Sequence, residues 1–315
     1  MSKILITGGA GFIASSLARR IAENPEDELV LVDNLATGDP KNIPSSSHNN
    51  VRFIKADVND FQDIASIFHS WKFDYVFHLA AVVGVQRTLK NPVKVLGDID
   101  GIRNILTLCK NTGVQRVYFS SSSEVYGEPF EFPQNEHTTP LNSRLPYAIV
   151  KNVGEAYLRA FEQEYHLPYT IFRYFNTYGP NQSKDFVVSK FILHALKGED
   201  LHVYGDGLQT RTFCYVDDNV EACHAIFRQQ ACKNQVINIG SDVEIPIVQL
   251  AHQIIKLTGS SSQVVHLSPL EEGDMTRRCP DIKMMKNYLP AAPITLEEGL
   301  KIVIDAFKPM SNVRN

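Results

Sequence analysis

Residues 3–14 read KILITGGAGFIA, and this stretch decides the fold. Lys3–Thr7 is a short, mostly apolar run that ends in glycines, and a helical pattern follows over Phe12–Glu23. Glycines between a strand and a helix let the backbone approach a pyrophosphate, and the helix N-terminus supplies N–H groups and a favourable dipole. A glycine turn alone is a weak signal, because any tight strand-to-helix turn uses the same residues.

The alternation of strand and helix continues downstream. Leu29–Val32, Val51–Ala56, Tyr75–Leu79, Arg116–Ser120 and Thr170–Phe175 are further strand-like runs, and helical segments lie between them. Nearly continuous apolar strands fit a sheet that is covered on both faces. The pattern predicts an α/β fold with a Rossmann-type, doubly wound parallel sheet. Asn91–Asn111 and Tyr147–Tyr165 are predicted to be long helices.

The pattern changes after Pro180, where helical and strand-like segments mix. Phe186–Lys197 and Ile247–Thr258 are predicted helices, and Leu201–Tyr204 and Val264–Leu267 are predicted strands. We therefore expect a smaller mixed α/β C-terminal subdomain that binds substrate. The predicted division assigns residues 1–179, with about 209–240 returning to them, to the cofactor-binding domain, and residues 180–208 and 241–315 to the subdomain.

Composition excludes several classes of protein. The chain has 315 residues and a formal net charge of −4, without a run of Lys and Arg, which argues against nucleic-acid binding. Five scattered cysteines without a C-x-x-C pair indicate reduced thiols and a cytoplasmic location. The ten histidines form no cluster of metal-ligand spacing, so no metal is expected. No apolar run predicts a membrane span, and no signal peptide is visible.

Acidic and small residues at later strand ends favour a dinucleotide. Asp33 ends the second strand, 22 residues after Gly11, where a carboxylate binds ribose hydroxyls and repels a 2′-phosphate. NAD is therefore favoured over NADP. The predicted cofactor contacts are Gly8, Gly11, Phe12, Ile13, Asp33, Asn34, Asp57, Val58, Leu79, Ala80 and Ala81, together with Tyr147 and Lys151.

Residues 120–127 read SSSSEVYG, and Tyr147-x-x-x-Lys151 follows. Residues four apart lie on one face of a helix, and a nearby ammonium favours the phenolate, so this Tyr is a candidate base. A Ser hydroxyl at an adjacent strand end can complete a proton relay. Glu124 is the unusual member, because it places a carboxylate where a second chemical step can occur; the alternative is a capping carboxylate.

The chain resembles the extended short-chain dehydrogenase/reductases of the NAD-dependent nucleotide-sugar epimerase, dehydratase and decarboxylase group. The resemblance covers nearly the whole chain and rests on TGGAGFIA at 7–14, HLAA at 78–81, SSSSEVYG at 120–127, YxxxK at 147–151 and RYFNTYGP at 173–180. YGDGLQTRTFCYVDD at 204–218 also carries it. One departure stands out: an Asn that is usual on the helix after the fourth strand is Asp98 here.

The resemblance implies a shared first step on a UDP-sugar. Tyr147 would remove the proton of the sugar 4-hydroxyl while NAD takes the C4 hydride. Lys151 would lower the pKa of Tyr147 and hold the nicotinamide ribose, and Ser122 would hydrogen-bond the same hydroxyl. The implied substrate contacts, to the phosphates, the sugar and a base that is usually uracil, are Arg87, Asn176, Val203, Tyr204, Arg211 and Arg278.

The second step is left open between three reactions. Simple 4-epimerases carry a small or hydroxylated residue at the Glu124 position, whereas dehydratases have Glu there as the C5 base, and many place an Asp acid where Ser123 stands. Residues 185–192 and 277–282 resemble decarboxylases. The resemblance therefore favours decarboxylation of a UDP-hexuronate over 4,6-dehydration of a UDP-hexose, with 4-epimerisation as the alternative. Differences in residues 82–87 and a short loop before Tyr147 leave room for an N-acetylated sugar.

Two expectations concern assembly and the class of protein. By similarity, the helices at Asn91–Asn111 and Tyr147–Tyr165 would pair with a second copy to form a four-helix homodimer interface. A different class, a non-catalytic NAD or sugar-nucleotide sensor on the same fold, is disfavoured because Ser122, Tyr147 and Lys151 are all intact.

Overall fold

A computed structural model describes residues 1–44, 48–83, 88, 90–128, 130–269 and 276–311. The strands in these residues are β1 Lys3–Thr7, β2 Glu28–Asp33, β3 Val51–Lys55, β4 Tyr75–His78, β5 Arg116–Ser122, β6 Tyr169–Tyr174, β7 Thr177–Tyr178, β8 Leu201–Tyr204, β9 Thr210–Thr212, β10 Cys214–Tyr215, β11 Gln235–Ile239, β12 Glu244–Pro246 and β13 Val264–Leu267.

The helices alternate with these strands in the first half of the chain, as predicted. They are α1 Phe12–Ala22, α2 Phe61–Trp71, α3 Pro92–Leu96, α4 Asp98–Thr112, α5 Pro146–Tyr165, α6 Val187–Lys197, α7 Val216–Arg228, α8 Ile247–Thr258, α9 Lys283–Lys286 and α10 Leu296–Ser311. A 3₁₀ turn at Ser123–Tyr126 follows β5 directly.

Seven parallel strands form the central sheet in the order β11-β6-β5-β4-β1-β2-β3. Successive side chains of a strand point to opposite faces, so Ile4 and Ile6 lie in one apolar core and Leu5 lies in the other. Helices α1 and α7 contribute to the first core, and α2, α4 and α5 to the second. The predicted doubly wound parallel sheet is confirmed.

The smaller mixed part of the chain pairs its strands outside the main sheet. Strand β8 pairs with β13 in parallel, and β9 pairs with β12 in antiparallel fashion. Helix α6 packs against α8 and α10 beside them. Strand β11, in contrast, returns to the main sheet and pairs with β6. The predicted mixed α/β part is confirmed, and the predicted domain boundaries stay a prediction.

The helix predicted over Asn91–Asn111 is two helices, because the chain divides at Gly97 into α3 and α4. Glycine is a poor residue for a helix interior, and acidic side chains are favoured in the first turn of a helix. Asp98 and Asp100 occupy that first turn in α4. The prediction of one long helix was therefore wrong at this position.

A buried ion pair ties α5 to the sheet. Arg173 on β6 donates Nε and Nη2 hydrogen bonds of 2.8 and 2.7 Å to the two carboxylate oxygens of Glu155 on α5. Both side chains are at most 2% exposed, and Ser121 at the end of β5 donates a third bond of 2.7 Å to Glu155. Burial would raise the pKa of Glu155, but Arg173 and Ser121 outweigh it and hold that pKa below its usual value.

We expect Glu155→Gln to lower the free energy of unfolding by about 3–5 kcal/mol, since it leaves the Arg173 charge buried without a counter-charge. Urea titration at neutral pH, followed by circular dichroism, measures this loss. The matched control is Glu297→Gln, which breaks the exposed i,i+4 pair with Lys301 and should cost far less, because solvent screens a surface ion pair. Equal losses in the two variants would contradict the role given to the buried pair.

Candidate active site

A cleft of about 980 Å³ lies at the carboxyl ends of the central strands. It spans the point between β1 and β4 where the strand order reverses, which is where open α/β sheets bind ligands. Most residues predicted for the site line it. They are Gly8, Gly11, Phe12, Ile13, Asp33, Asn34, Asp57, Val58, Leu79, Ala80, Ala81, Ser122, Ser123, Glu124, Tyr147, Lys151, Asn176 and Arg278.

The glycine turn leaves the N-terminus of α1 open toward the cleft. Gly8 has a φ of 71°, and a Cβ there would lie 2.8 Å from the backbone nitrogen of Ala80. Gly11 is the N-cap of α1 and supplies no capping side chain. The first-turn N–H groups of the helix are therefore available to an anion such as a pyrophosphate.

The Asp33 carboxylate closes the other side of this turn. Its Oδ2 accepts the Ala10 N–H at 3.1 Å, and its Oδ1 accepts the Leu35 N–H at 2.7 Å. A Cβ on Gly38 would come within 3.0 Å of both oxygens, so glycine keeps the carboxylate open. Each oxygen retains a second lone pair for a ribose hydroxyl, and these residues fit the adenosine end of NAD.

Two residues that were not predicted, Thr7 and His78, hold the wall of small residues after β4. The Thr7 hydroxyl is 2.8 Å from His78 Nδ1 and accepts the Ala80 N–H at 3.2 Å. Burial, assisted by the Lys151 charge, lowers the pKa of His78 to about 3, so the imidazole is neutral, and its tautomer decides which group donates in the bond with Thr7. The HLAA stretch carried the signal, but it was interpreted only as space for the cofactor.

The structure brings Ser122, Tyr147 and Lys151 together. Ser122 ends β5, and the other two project from the first turns of α5 with Lys151 Nζ 5.7 Å from the centre of the Tyr147 ring. Lys151 is 2% exposed and donates a 3.3 Å hydrogen bond to Ser120. Burial lowers the pKa of Lys151 to about 8, against the opposing effect of Asp98.

The pKa of Tyr147 moves in the direction opposite to the prediction. Burial raises it, and the nearby charges of Glu124 and Asp98 raise it further, while a hydrogen bond with Ser122 lowers it. Burial and the two carboxylates therefore determine the direction of this pKa, and the expectation that Lys151 lowers it stays a prediction.

Glu124 is held by a guanidinium from a distant part of the chain. Arg278 donates Nη1 and Nη2 hydrogen bonds of 2.8 and 2.7 Å to the two oxygens of Glu124. The side chain of Arg278 is 5% exposed and that of Glu124 is 18% exposed. The pair lies in the cleft beside Tyr147, so Arg278 is at the sugar end of the predicted site.

Three predicted substrate contacts do not line the cleft. Val203 is 1% exposed and packs in the core, so its side chain is not available to a ligand. Tyr204 lies next to it on β8, and the Arg211 guanidinium donates to the Thr210 carbonyl at 2.8 Å. Asn176 lines the cleft and donates to the Thr212 carbonyl at 3.0 Å. Arg87 lies outside the described residues.

Asp98, the departure noted in the sequence, also lies in the cleft. It is 8% exposed, and its Oδ2 accepts the Val82 N–H at 2.7 Å.

Within the described part of the chain, no group of three His, Cys, Asp or Glu side chains is arranged to hold a metal ion. None of the described helices has the length and apolar character that a membrane span requires.

Comparison with known proteins agrees with this geometry. A UDP-N-acetyl-alpha-D-glucosaminuronate decarboxylase of Bacillus cytotoxicus is 37% identical and covers 98% of this chain and 99% of its own. A UDP-glucuronic acid decarboxylase 1 of Xenopus tropicalis is 37% identical and covers 97% of this chain and 72% of its own. The structure of UDP-glucose 4-epimerase from Thermotoga maritima with UDP-glucose matches with a TM-score of 0.91 at 34% identity, over 98% and 99% of the two chains.

The model of the NAD dependent epimerase/dehydratase family matches residues 4–240, which include the central sheet except its first residue, Lys3. The match covers the glycine turn of α1 and the Tyr147–Lys151 pair of α5. Because both the family model and full-length relatives align with this chain, it belongs to the NAD-dependent epimerase/dehydratase family, and its cofactor is NAD.

Proposed function

We propose that the protein decarboxylates a UDP-hexuronate through a 4-keto intermediate, with no net change in the redox state of NAD. The observation that carries this proposal is the Arg278 guanidinium, which lies in the sugar end of the cleft and already binds a carboxylate by two hydrogen bonds. A planar guanidinium matches a carboxylate in this bidentate way, whereas a hexose offers only a neutral C6 hydroxyl. The two decarboxylases at 37% identity support the same choice.

The cofactor end is assigned to the glycine turn and Asp33. NAD, when bound there, would supply a reversible hydride acceptor for sugar C4. The N–H groups of α1 would bind the pyrophosphate, and Asp33 would bind the adenosine ribose. The Lys151 ammonium would hold the nicotinamide ribose, and the Ser122 hydroxyl would stabilise the Tyr147 phenolate through its hydrogen bond. Tyr147 would then act as the general base that takes the proton of the sugar 4-hydroxyl.

Glu124 is assigned to the step at C5. Once C4 is a ketone, the C5–C6 bond can break, carbon dioxide leaves, and the bonding electrons form an enolate over C4 and C5. The C5 carbon then needs a proton. If Arg278 turns to the substrate carboxylate, Glu124 is released from its two hydrogen bonds and can carry a proton from water to C5. Ser123, which is 3% exposed, has no carboxylic acid group to protonate a leaving C6 hydroxyl. The site therefore fits dehydration less well than decarboxylation.

The remaining substrate contacts are proposals from the resemblance. Asn176 is placed to meet the phosphates beside the sugar. The segment Leu201–Tyr204 would meet the uracil base through its backbone, since the Val203 side chain is buried. Arg211 is also proposed as a substrate contact. We further propose that residues 1–179, with about 209–240, form the cofactor-binding domain and that residues 180–208 and 241–315 form the substrate-binding subdomain. Strand β11 at Gln235–Ile239 lies in the main sheet, which supports that division.

We propose a homodimer in the cytoplasm. Helices α3 and α5 leave apolar side chains exposed on the surface that the four-helix arrangement would use: Val93 is 81%, Leu96 39% and Ile149 38% exposed. Burying such side chains against a second copy is favourable. The five cysteines are all buried and form no disulfide, which fits reduced thiols.

We expect a product lighter by carbon dioxide when the purified protein is incubated with NAD and UDP-glucuronate or UDP-N-acetylglucosaminuronate. Mass spectrometry of the nucleotide sugar measures this directly. UDP-glucose and UDP-N-acetylglucosamine are the matched neutral substrates. Loss of water from these would assign dehydration, and an isomer of unchanged mass would assign the 4-epimerisation that the Thermotoga maritima enzyme is named for. Either outcome without decarboxylation overturns the proposal.

Glu124→Gln should leave the C4 oxidation intact while overall turnover falls by about 10²-fold or more, because C5 loses its proton donor. With a UDP-hexuronate, the NADH absorbance should therefore accumulate. Arg277→Gln is the neighbouring control, since Arg277 pairs with Glu244 at an exposed site instead. If Glu124→Gln turned over at the wild-type rate, Glu124 would have a structural role and not a catalytic one.

Gly8→Ala should weaken NAD binding by about tenfold or more, because the added Cβ would push Ala80 into the cleft. Isothermal titration calorimetry measures the affinity. Gly198→Ala is the control: Gly198 has the same φ of 71°, but no atom lies within 4 Å of its added Cβ. Both variants should lose stability through the left-handed backbone, and only Gly8→Ala should lose affinity. Equal NAD affinities in Gly8→Ala and Gly198→Ala would contradict the assignment of the glycine turn to the cofactor site.

A further inference from the structure

The ammonium of Lys151 is held by a residue of β5 that the proposed chemistry has not used. Lys151 is 2% exposed, and burying a charge is costly unless the charge is hydrogen-bonded. Among the described residues, Nζ donates one hydrogen bond, of 3.3 Å, to Ser120 Oγ. An ammonium has three donors and no acceptor, so the Ser120 hydroxyl is the acceptor in this bond. Two N–H donors of Lys151 therefore stay available to a ligand in the cleft.

The ring of Phe119, the residue before Ser120, also contacts this ammonium. Nζ of Lys151 lies over the Phe119 ring, 5.0 Å from its centre, and a cation at this distance is attracted to the ring. Phe119 is 1% exposed, and Gly154 on α5 leaves room for it, since a Cβ there would lie 2.4 Å from Phe119 Cζ. The ring attracts the charge as a whole, so the direction of the single N–H bonds depends on Ser120.

The last three serines of β5 have different contacts. Side chains alternate between the two faces of a sheet, which places Ser121 opposite to Ser120 and Ser122. Ser121 donates to Glu155 at 2.7 Å, and Ser122 ends the strand. Ser120 and Ser122 both line the cleft, but the hydrogen bond with Lys151 belongs to Ser120. Ser120 is therefore the serine that connects β5 directly to the ammonium.

We propose that Ser120 is a positioning residue that fixes the direction of the Lys151 ammonium. Its hydroxyl takes one of the three N–H donors while the Phe119 ring holds the charge, so the other two donors have fixed directions in the cleft. Two such donors suit the adjacent hydroxyls of a ribose. Without Ser120, the ammonium would have to be ordered when the cofactor binds, at a cost in affinity.

This inference rests on the proposed contact of Lys151 with the nicotinamide ribose, and it does not depend on which bond breaks at C5 or C6. The test is a double-mutant cycle with NAD affinity measured by isothermal titration calorimetry. We expect Ser120→Ala to weaken NAD binding by about fivefold, because hydrogen bonds to charged groups are among the stronger ones. Lys151→Met removes the ammonium and should weaken binding further. In Lys151→Met, adding Ser120→Ala should change the affinity by less than about twofold, since Ser120 acts through the ammonium.

Thr170→Val is the matched control. Thr170 lies on β6 beside Tyr118 of β5, and its buried hydroxyl donates to the Cys232 carbonyl at 3.0 Å. Loss of this bond should lower the free energy of unfolding, measured by urea titration, because it leaves a buried carbonyl without its partner. The affinity for NAD should stay at the wild-type value. A loss of stability alone therefore does not reproduce the effect expected for Ser120→Ala.

Two results would overturn the inference. One is an unchanged NAD affinity in Ser120→Ala. The other is an equal loss of affinity on Ser120→Ala whether Lys151 or Met stands at position 151, because the serine would then act without the ammonium. The expected cycle in a protein that converts no UDP-hexuronate would instead count against the proposed function alone.

Discussion

The buried ion pair between Glu155 and Arg173 is the constraint on which the arrangement of the site depends. Glu155 lies one helical turn after Lys151 on α5, and Arg173 lies on β6 inside the sheet. Sliding or rotating α5 would separate two charges that are at most 2% exposed, and breaking such a pair costs several kcal/mol. The helix that carries Tyr147 is therefore fixed relative to the strand end that carries Ser122, because Ser121 next to it donates to the same carboxylate.

The same polar network extends to the half of the site that comes from late in the chain. Arg173 donates to the Tyr126 hydroxyl at 2.8 Å, and that hydroxyl donates to the Asn238 side chain at 2.7 Å. Asn238 in turn donates to the Gln134 carbonyl at 2.9 Å, and the backbone of Gln134 bonds to Cys279. Cys279 is the residue after Arg278. A continuous series of hydrogen bonds thus runs from the ion pair through Tyr126, two residues after Glu124, to Cys279, the neighbour of Arg278. Hydrogen bonds are stronger in such a buried environment of low polarity.

Local patterns were enough to predict the sheet, the glycine turn, Asp33 and the shared helix face of Tyr147 and Lys151, because each depends on residues close in sequence. The contact of Arg278 with Glu124 joins residues 154 positions apart, and no local period could indicate it. The division at Gly97 was missed because the apolar spacing continues through it. The pKa of Tyr147 was predicted from one neighbour, whereas burial and two carboxylates determine it. Val203 was assigned to a ligand by similarity, although alternation on β8 buries its side chain.

The cleft contains two sets of opposite charges, and they lie on different elements. Asp98 and Lys151 lie on α4 and α5 at the cofactor side, whereas Glu124 and Arg278 lie on the 3₁₀ turn and a late loop at the sugar side. In the proposed function, the first set acts beside Tyr147 in the C4 step. The Glu124–Arg278 pair acts at C5 and C6 in the same proposal, since Arg278 can leave Glu124 without a large desolvation cost only for another carboxylate or an equally strong anion. A substrate that brings its own C6 carboxylate meets this condition, and a neutral hexose does not.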